Sequence, residues 1–403
     1  MHMITCSLRL AIKLRIALCF FSCFLLTQCK KNNTSFETIE HAAPIDNKGD
    51  IVVGEIGSLT GSEATFGIST RDGIELARQK INETGGIFGR LVQVVVYDDQ
   101  GKPEEAASTI TKLITQDKVI AVLGEVASSR SLAAAPIAQN RKIPMITPSS
   151  TNPKVTEIGD YIFRVCFIDP FQGTVMARFA YEHLHAKTAA VFRDTKSDYS
   201  IGLANYFVEA FSKLGGKIVK DEAYAGGDVH FKSQLTAIKN AAPDVVFVPG
   251  YYTEVGLIAR QARQALNMTM PFLGGDGWDS PKLLDMLTVG GKSLDNFYFS
   301  NHYSQELGTK EVKEFVTDFE KTFHYKPDGL AAMGYDAAMV LFYAMKQTKV
   351  LTPQSIRDEL AKVKDLKMVT GTISIDAKRN ASKPAVVLKI ENSQHRYVTT
   401  MSP

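Results

Sequence analysis

From residue 51 onward, short apolar runs alternate with stretches of helical spacing. IVVGEIG (51–57), LVQVVVYDD (91–99), VIAVLGE (119–125) and IPMITP (143–148) read as strands, rich in Val and Ile and bounded by turn residues. Between them, 67–84, 103–116 and 128–140 have helical periodicity, with Ile74, Ala77 and Ile81 on one face of the first. Gly85-Gly86 stops that helix, and Pro103 suits the first turn of the next. The rhythm resumes after Asp169: a helix over 171–185, a strand over 188–194, a helix over 201–214 and a strand over 217–224. A helix from 231, a strand over 243–250, a helix over 255–266 and a strand over 271–277 follow. Such alternation predicts parallel sheets covered by helices on both faces. Beyond 300 the pattern predicts helices near 309–324, 329–347 and 353–364 and short strands near 372–376 and 385–390, too few for a third domain.

The expected fold is therefore α/β with two lobes, each a mostly parallel sheet flanked by helices. The late elements complete both lobes, so the chain passes between them three times, near 166–169, 299–302 and 368–371. This divides it into an N-terminal lobe of 51–168 plus 301–368 and a C-terminal lobe of 169–300 plus 369–403.

The N-terminus follows a different pattern. Arg9, Lys13 and Arg15 precede the apolar run 16–26, which is shorter than the ~20 residues a spanning helix needs. It reads as a secretory signal over 1–28. The run ends in Leu26-Thr27-Gln28-Cys29, similar to a bacterial lipobox, although Gln28 stands where a small residue is usual. Cys29 is the expected lipidation site, and the polar tract 29–49 reads as a flexible tether.

Composition narrows the function classes. Of five cysteines, Cys6, Cys19 and Cys23 lie in the signal and Cys29 at its end, leaving Cys166 alone in the folded part. No disulfide within the folded part and no cysteine-based metal site is expected. A net charge of +3 over 403 residues carries no basic stripe, so no nucleic-acid partner is expected. The eight histidines show no HExxH spacing, and Asp98-Asp99 read as turn and cap residues. The run Gly54-x-x-Gly57-x-x-x-Gly61 is not a dinucleotide fingerprint, and neither GxSxG nor a phosphate-binding GxxxxGK occurs. No cofactor, metal or catalytic residue is expected.

In doubly wound sheets ligands bind at the carboxyl ends of the strands. The loops there, 58–65, 125–131, 148–152, 194–199, 249–254 and 274–279, are rich in Gly, Ser, Thr, Tyr and Asp. Facing each other across a cleft, they would supply hydroxyls, free backbone N–H groups and one or two carboxylates.

At these loops the chain resembles the periplasmic branched-chain amino-acid binding proteins, the substrate-binding lipoproteins of ABC importers. The resemblance rests on VGEIGSLTGSEATFG (53–67), INETGGIFGRLVQVVVYDDQ (81–100), VLGEVASS (122–129), IPMITPSSTNP (143–153), YSIGLA (199–204), GYYTEVGLIARQA (250–262) and GYDAA (334–338). It implies a type I periplasmic-binding-protein clamshell. It also implies that Ser128, Ser149 and Thr151 hold a ligand carboxylate and ammonium in the first lobe, with Tyr199 and Tyr251 closing from the second. Asp276 would pair with the α-ammonium, and Phe66 would form an aromatic wall.

Departures bear on the ligand. The family acid is commonly Glu, Phe66 lacks a hydroxyl, and Trp278 stands where a small aliphatic residue is usual, as a further expected wall of the side-chain pocket. The family's disulfide positions are Gly101 and Ala127 here. The expectation is a periplasmic, lipid-anchored monomer that binds a small, apolar amino acid and delivers it to an ABC permease in the inner membrane. The open alternative is a sensory protein for an amide, urea or aromatic acid.

Overall fold

The computed structural model describes residues 49–402, so the secretory segment, Cys29 and nearly all of the tether lie outside the described residues. In the first lobe, β1 (Ile51–Gly57), β2 (Val92–Asp98), β3 (Val122–Leu123), β4 (Met145–Thr147) and β5 (Ile162–Arg164) form a parallel sheet, ordered β2-β1-β3-β4-β5. The helices α1 (Ala64–Glu83), α2 (Pro103–Thr115), α3 (Ser128–Arg141) and the short α4 (Lys154–Glu157) connect them. Period-two alternation sorts the side chains of β1. Ile51 and Val53 face the core with α1, whereas Ile56 meets Ile110 and Leu113 of α2 on the other side.

In the second lobe, β6 (Thr188–Asp194), β7 (Lys217–Tyr224), β8 (Val245–Phe247) and β9 (Phe272–Gly274) build another parallel sheet. The helices α5 (Asp169–Arg178), α6 (Asp198–Lys213), α7 (Lys232–Asn240), α8 (Tyr252–Arg260) and α9 (Pro281–Leu287) surround it. Ala189 and Val191 of β6 point to one core, Ala190 and Phe192 to the other, as a sheet buried on both faces requires. A small hairpin, β10 (Thr288–Val289) with β11 (Lys292–Ser293), precedes β12 (Phe297–Asn301), which extends the sheet parallel to β9.

The chain then returns to the first lobe with α10 (Lys310–Phe323), α11 (Gly329–Gln347), α12 (Pro353–Leu360) and an antiparallel sheet of β13 (Leu366–Met368), β14 (Gly371–Ile375) and β15 (Ala381–Ser382). The antiparallel pair β16 (Ala385–Glu391) and β17 (Gln394–Met401) finally joins the second sheet, ordered β17-β16-β12-β9-β8-β6-β7. Glycine lets α1 and α11 meet backbone to backbone. A Cβ on Gly73 would lie 2.0 Å from the Ala331 carbonyl oxygen, and one on Gly334 would lie 2.3 Å from that of Thr70.

The cores mark where the chain changes lobe. Cys166 packs in the first core and Phe167 in the second; Phe299 packs in the second and Tyr303 in the first. The third change falls between Ala381 and Ala385, which corrects the expected crossing at 368–371 and the lobe boundary at 369. Val369 and Ile373 are apolar and find their partners in the first core, so the small antiparallel sheet stays there.

Several expected strands are shorter in the structure, among them 143–148, which pairs over Met145–Thr147, and 243–250, which pairs over Val245–Phe247. The run 119–125 pairs only at Val122–Leu123, and 271–277 ends at Gly274 because Asp276–Trp278 turns as a 3₁₀ helix. The pattern also missed β17, an edge strand of largely exposed polar residues that no apolar run announces. Among the described residues no helix is long and apolar enough to cross a membrane.

Candidate functional site

The carboxyl ends of the two sheets face each other across a hollow with about 280 Å³ of empty space, in part open to solvent, lined by Phe66, Ser128, Ser149, Tyr199, Tyr251 and Asp276 together with Val126, Ala127, Gly277 and Leu330. A larger hollow lies on the flank of the cleft, but none of its lining residues belongs to the strand-end loops of the first lobe. The smaller one is the candidate site because both lobes wall it and the sheet ends converge on it.

One end of the hollow is the start of α3. Its N-cap position, Ala127, offers no side chain to the first-turn N–H groups, which therefore lack intrahelical partners and carry the positive end of the helix dipole. The Ser149 hydroxyl donates to the Val126 carbonyl at 3.2 Å, and the Ser128 hydroxyl accepts from Asn152 N–H at 3.2 Å. Beneath this end, Glu125 fastens the loop. Its carboxylate accepts from Ala127 N–H and from Ser58 at 3.2 Å, and it lies 3.3 Å from Arg130 Nε. Its carbonyl accepts from Thr147 at 2.6 Å and Ser131 at 2.9 Å. Arg130 also reaches Glu63 at 3.1 Å. The buried guanidinium thus ties α3 to the loops after β1 and β3.

The other end is Asp276, 7% exposed, at the turn after β9. Oδ1 accepts from Gln172 Nε2 at 2.8 Å and from Tyr199 Oη at 2.9 Å; Oδ2 faces His302 Nε2 at 3.0 Å. Burial holds the His302 imidazole down at about 4, so it is neutral at ordinary pH and presents an N–H to the carboxylate. All three partners are neutral, so the carboxylate is solvated but not paired with a cation. Gly277 N–H returns to Tyr199 Oη at 3.2 Å. Glycine is required here, since a Cβ on Gly275 would lie 2.4 Å from Tyr199 Oη and one on Gly277 would lie 2.8 Å from the Gly250 carbonyl.

Aromatic rings form the sides. Tyr199 and Tyr251 stack at 5.3 Å with 4° between planes, and burial pushes both phenols up. Phe66, from the first lobe, meets Tyr251 edge-on at 5.6 Å and Tyr252 at 4.9 Å. The rim is shut by contacts between lobes. Thr65 and Ser280 hydroxyls lie 3.0 Å apart, Thr253 donates to the Ser62 carbonyl at 2.7 Å, and Ser129 and Asp198 bond reciprocally at 3.0 Å each. The conformation is the closed one.

Two expected residues lie elsewhere. Trp278 does not wall the hollow. It is fully buried in the second lobe beside Phe297 and Phe299, and its Nε1 donates to the Val248 carbonyl at 3.0 Å. In a 3₁₀ turn of three residues per turn, a side chain two positions after Asp276 points well away from it. Thr151 is also off the lining; its hydroxyl is buried without a hydrogen-bond partner, and its carbonyl accepts from Asp169 N–H at 3.0 Å. Conversely, sequence reasoning missed Gln172, His302 and Leu330. His302 directly follows β12, so the strand-end rule would have found it had β12 been read as a sheet strand. Among the described residues no group of three or more His, Cys, Asp or Glu is placed to hold a metal ion.

Comparison with known proteins agrees with this fold. The family model described as "Periplasmic binding protein" matches residues 50–395. An amino acid binding protein of Pseudomonas aeruginosa is 37% identical over 243 residues, 60% of this chain and 64% of that relative. The match thus spans less than two thirds of that protein's length. The crystal structure of a leucine binding protein from Thermotoga maritima superposes with a TM-score of 0.83 at 38% identity, covering 88% of this chain and 99% of the other. A branched-chain amino acid transporter substrate binding protein from Streptococcus pneumoniae, solved in complex with isoleucine, superposes with a TM-score of 0.83 at 34% identity, covering 88% and 100%.

Proposed function

The chain belongs to the periplasmic binding protein family, and from that premise we propose that it is the extracytoplasmic substrate-binding subunit of an ABC importer for a small apolar amino acid. The ligand lies between the lobes with its carboxylate at the start of α3, beside Ser128 and Ser149, and its ammonium on Asp276. Tyr199, Tyr251 and Phe66 close over it, and Leu330 and Val126 meet its side chain. Thr151 contributes from behind the first-lobe loop. The observation that carries this reading is Asp276, a buried carboxylate whose three side-chain partners are all neutral. An α-ammonium supplies the missing countercharge, and charge-assisted hydrogen bonds in such a site are the strong ones.

Ligand favours closure because only the closed state offers contacts from both lobes. The lobes rotate about the segments 166–167, 299–303 and 381–385. The closed monomer docks an inner-membrane permease while acyl chains on Cys29 hold it at the membrane. No catalytic step is involved.

Thermal-shift measurements on the purified chain against the twenty amino acids, small amides and aromatic acids test the reading. Leucine, isoleucine or valine is expected to raise the melting temperature by mass action. Asp276→Ala is expected to weaken that ligand by about 100-fold, the scale of losing a hydrogen-bonded charge partner. An unshifted melting temperature with every amino acid, or an aromatic acid that Asp276→Ala still binds, overturns it.

A further inference from the structure

On the flank of the cleft lies the second, larger hollow, about 1120 Å³ of empty space in part open to solvent. Its walls come from both lobes: Asp279, Leu284, Leu388 and His395 from the second, Tyr303 and Asp328 from the first. None of these six lines the amino-acid hollow.

Three side-chain atoms here are buried without a hydrogen-bond partner: Asp279 Oδ1, Tyr303 Oη and His395 Nε2. Asp279 and Tyr303 are only 1% and 2% exposed. The other carboxylate oxygen of Asp279 is taken, accepting from Asn301 at 2.7 Å and, across the lobes, from Gly329 N–H at 2.6 Å. Burial holds the His395 imidazole at about 4, so the ring is neutral. Its Nδ1 lies 3.3 Å from Asp279 Oδ1 without making a hydrogen bond to it, and its Nε2 has no partner.

A carboxylate oxygen, an imidazole nitrogen and a phenol oxygen thus lack partners on three side chains that line one hollow. A primary ammonium carries three N–H donors and a positive charge. Among the described residues no cation fills that role. Arg396, at the rim, is taken by Glu306 at 3.0 Å, and Lys326 is exposed. Burial pushes Asp279 up to about 6, with the charge of Asp276 adding to it, and burial pushes Asp328 up to about 7, with the charge of Asp279 adding to it. Leaving such groups unmet costs the fold their desolvation, which an entering ammonium would offset. Leu284 and Leu388 offer apolar surface for a short carbon stem.

We propose that this hollow is a second binding site, for a primary ammonium compound with a short apolar stem, and that its occupation is coupled to the amino-acid cleft because both lobes form its walls. Only the coupling rests on the function proposed above; the binding does not.

Isothermal titration of the detergent-solubilised full chain with butylammonium chloride, beside tetramethylammonium chloride, tests it. Butylammonium is expected to saturate one site, with tetramethylammonium, which has no N–H donor, at least about fivefold weaker. Tyr303→Phe removes an oxygen that bonds nothing in the fold; it is expected to weaken butylammonium about threefold or more and to leave leucine within about twofold. Asp279→Asn, which keeps an oxygen for Gly329, should weaken butylammonium about tenfold. Asp276→Ala should leave butylammonium binding intact. Saturating butylammonium should tighten leucine by about threefold or more. No saturable binding, equal affinity for tetramethylammonium, an unaffected Tyr303→Phe, or loss of butylammonium in Asp276→Ala overturns the site; an unchanged or weakened leucine affinity overturns the coupling. Butylammonium is titrated into protein free of amino acid, so this proposal and the transport reading fail separately.

Discussion

His302 and Asp276 meet nitrogen to oxygen at 3.0 Å, one from the loop after β12 and the other from the turn after β9. The neutral imidazole donates a hydrogen bond without cancelling the charge, so the carboxylate stays oriented and still needs a cation. His302→Leu removes the donor and is expected to weaken leucine binding by about 10-fold, measured calorimetrically at pH 7. His302→Gln keeps an N–H near the same position and should recover most of the loss. Equal affinity in both variants would show the imidazole to be mere packing against Phe167, on which it stacks at 3.7 Å.

Tyr199 does two jobs with one oxygen, donating to Asp276 and accepting from Gly277 N–H. Tyr199→Phe preserves the stack on Tyr251 but leaves the Gly277 N–H unmet. A loss of about 10-fold in leucine affinity, with a smaller fall in melting temperature, is the expected result. A loss of melting temperature alone would assign the hydroxyl to folding.

Glu55 lies in β1, 1% exposed, with Oε1 unpartnered. Burial raises its carboxyl to about 8. The folded chain keeps a proton that the unfolded chain has released, so stability falls as pH climbs from about 4.5 to about 8 and this group adds no further change above that. Glu55→Gln is neutral throughout. It should raise the melting temperature at pH 8 and lose that advantage near pH 4.5, as read by scanning calorimetry at both values. A gain that does not vary with pH would contradict the proton-linked origin.

Gly73 and Gly334 let α1 and α11 touch through their backbones. Gly73→Ala forces the helices apart and is expected to destabilise the fold by about 1–3 kcal/mol. Chemical denaturation should show a lower midpoint with an unchanged slope. An unaltered midpoint would mean that the contact relaxes without cost.

The sequence made the sheet ends legible because a parallel strand buried on both faces leaves a continuous apolar signature, and the loop after it is where hydroxyls and glycines cluster. Ser128, Ser149, Tyr199, Tyr251, Asp276 and Phe66 were found that way or through the family resemblance, and all line one hollow. Two of the three partners of Asp276 were not legible. Gln172 stands 104 positions away and His302 stands 26, and nothing local in either segment announces the meeting. Trp278 failed for the opposite reason. Proximity in sequence suggested shared space, but the tight turn sends it into the core. The third crossing, expected at 368–371 and found between Ala381 and Ala385, failed because the lobe on which Val369 and Ile373 dock cannot be read from a strand pattern common to both lobes.

The bonds along the rim, Thr65 with Ser280 and Ser129 with Asp198, hold the two lobes together over the cargo. Whatever is boxed in there departs only when these few clasps let go together. Arrival is governed by diffusion, whereas unloading waits on that joint release, so the tempo of delivery is written in the lip of the vessel and not in its floor.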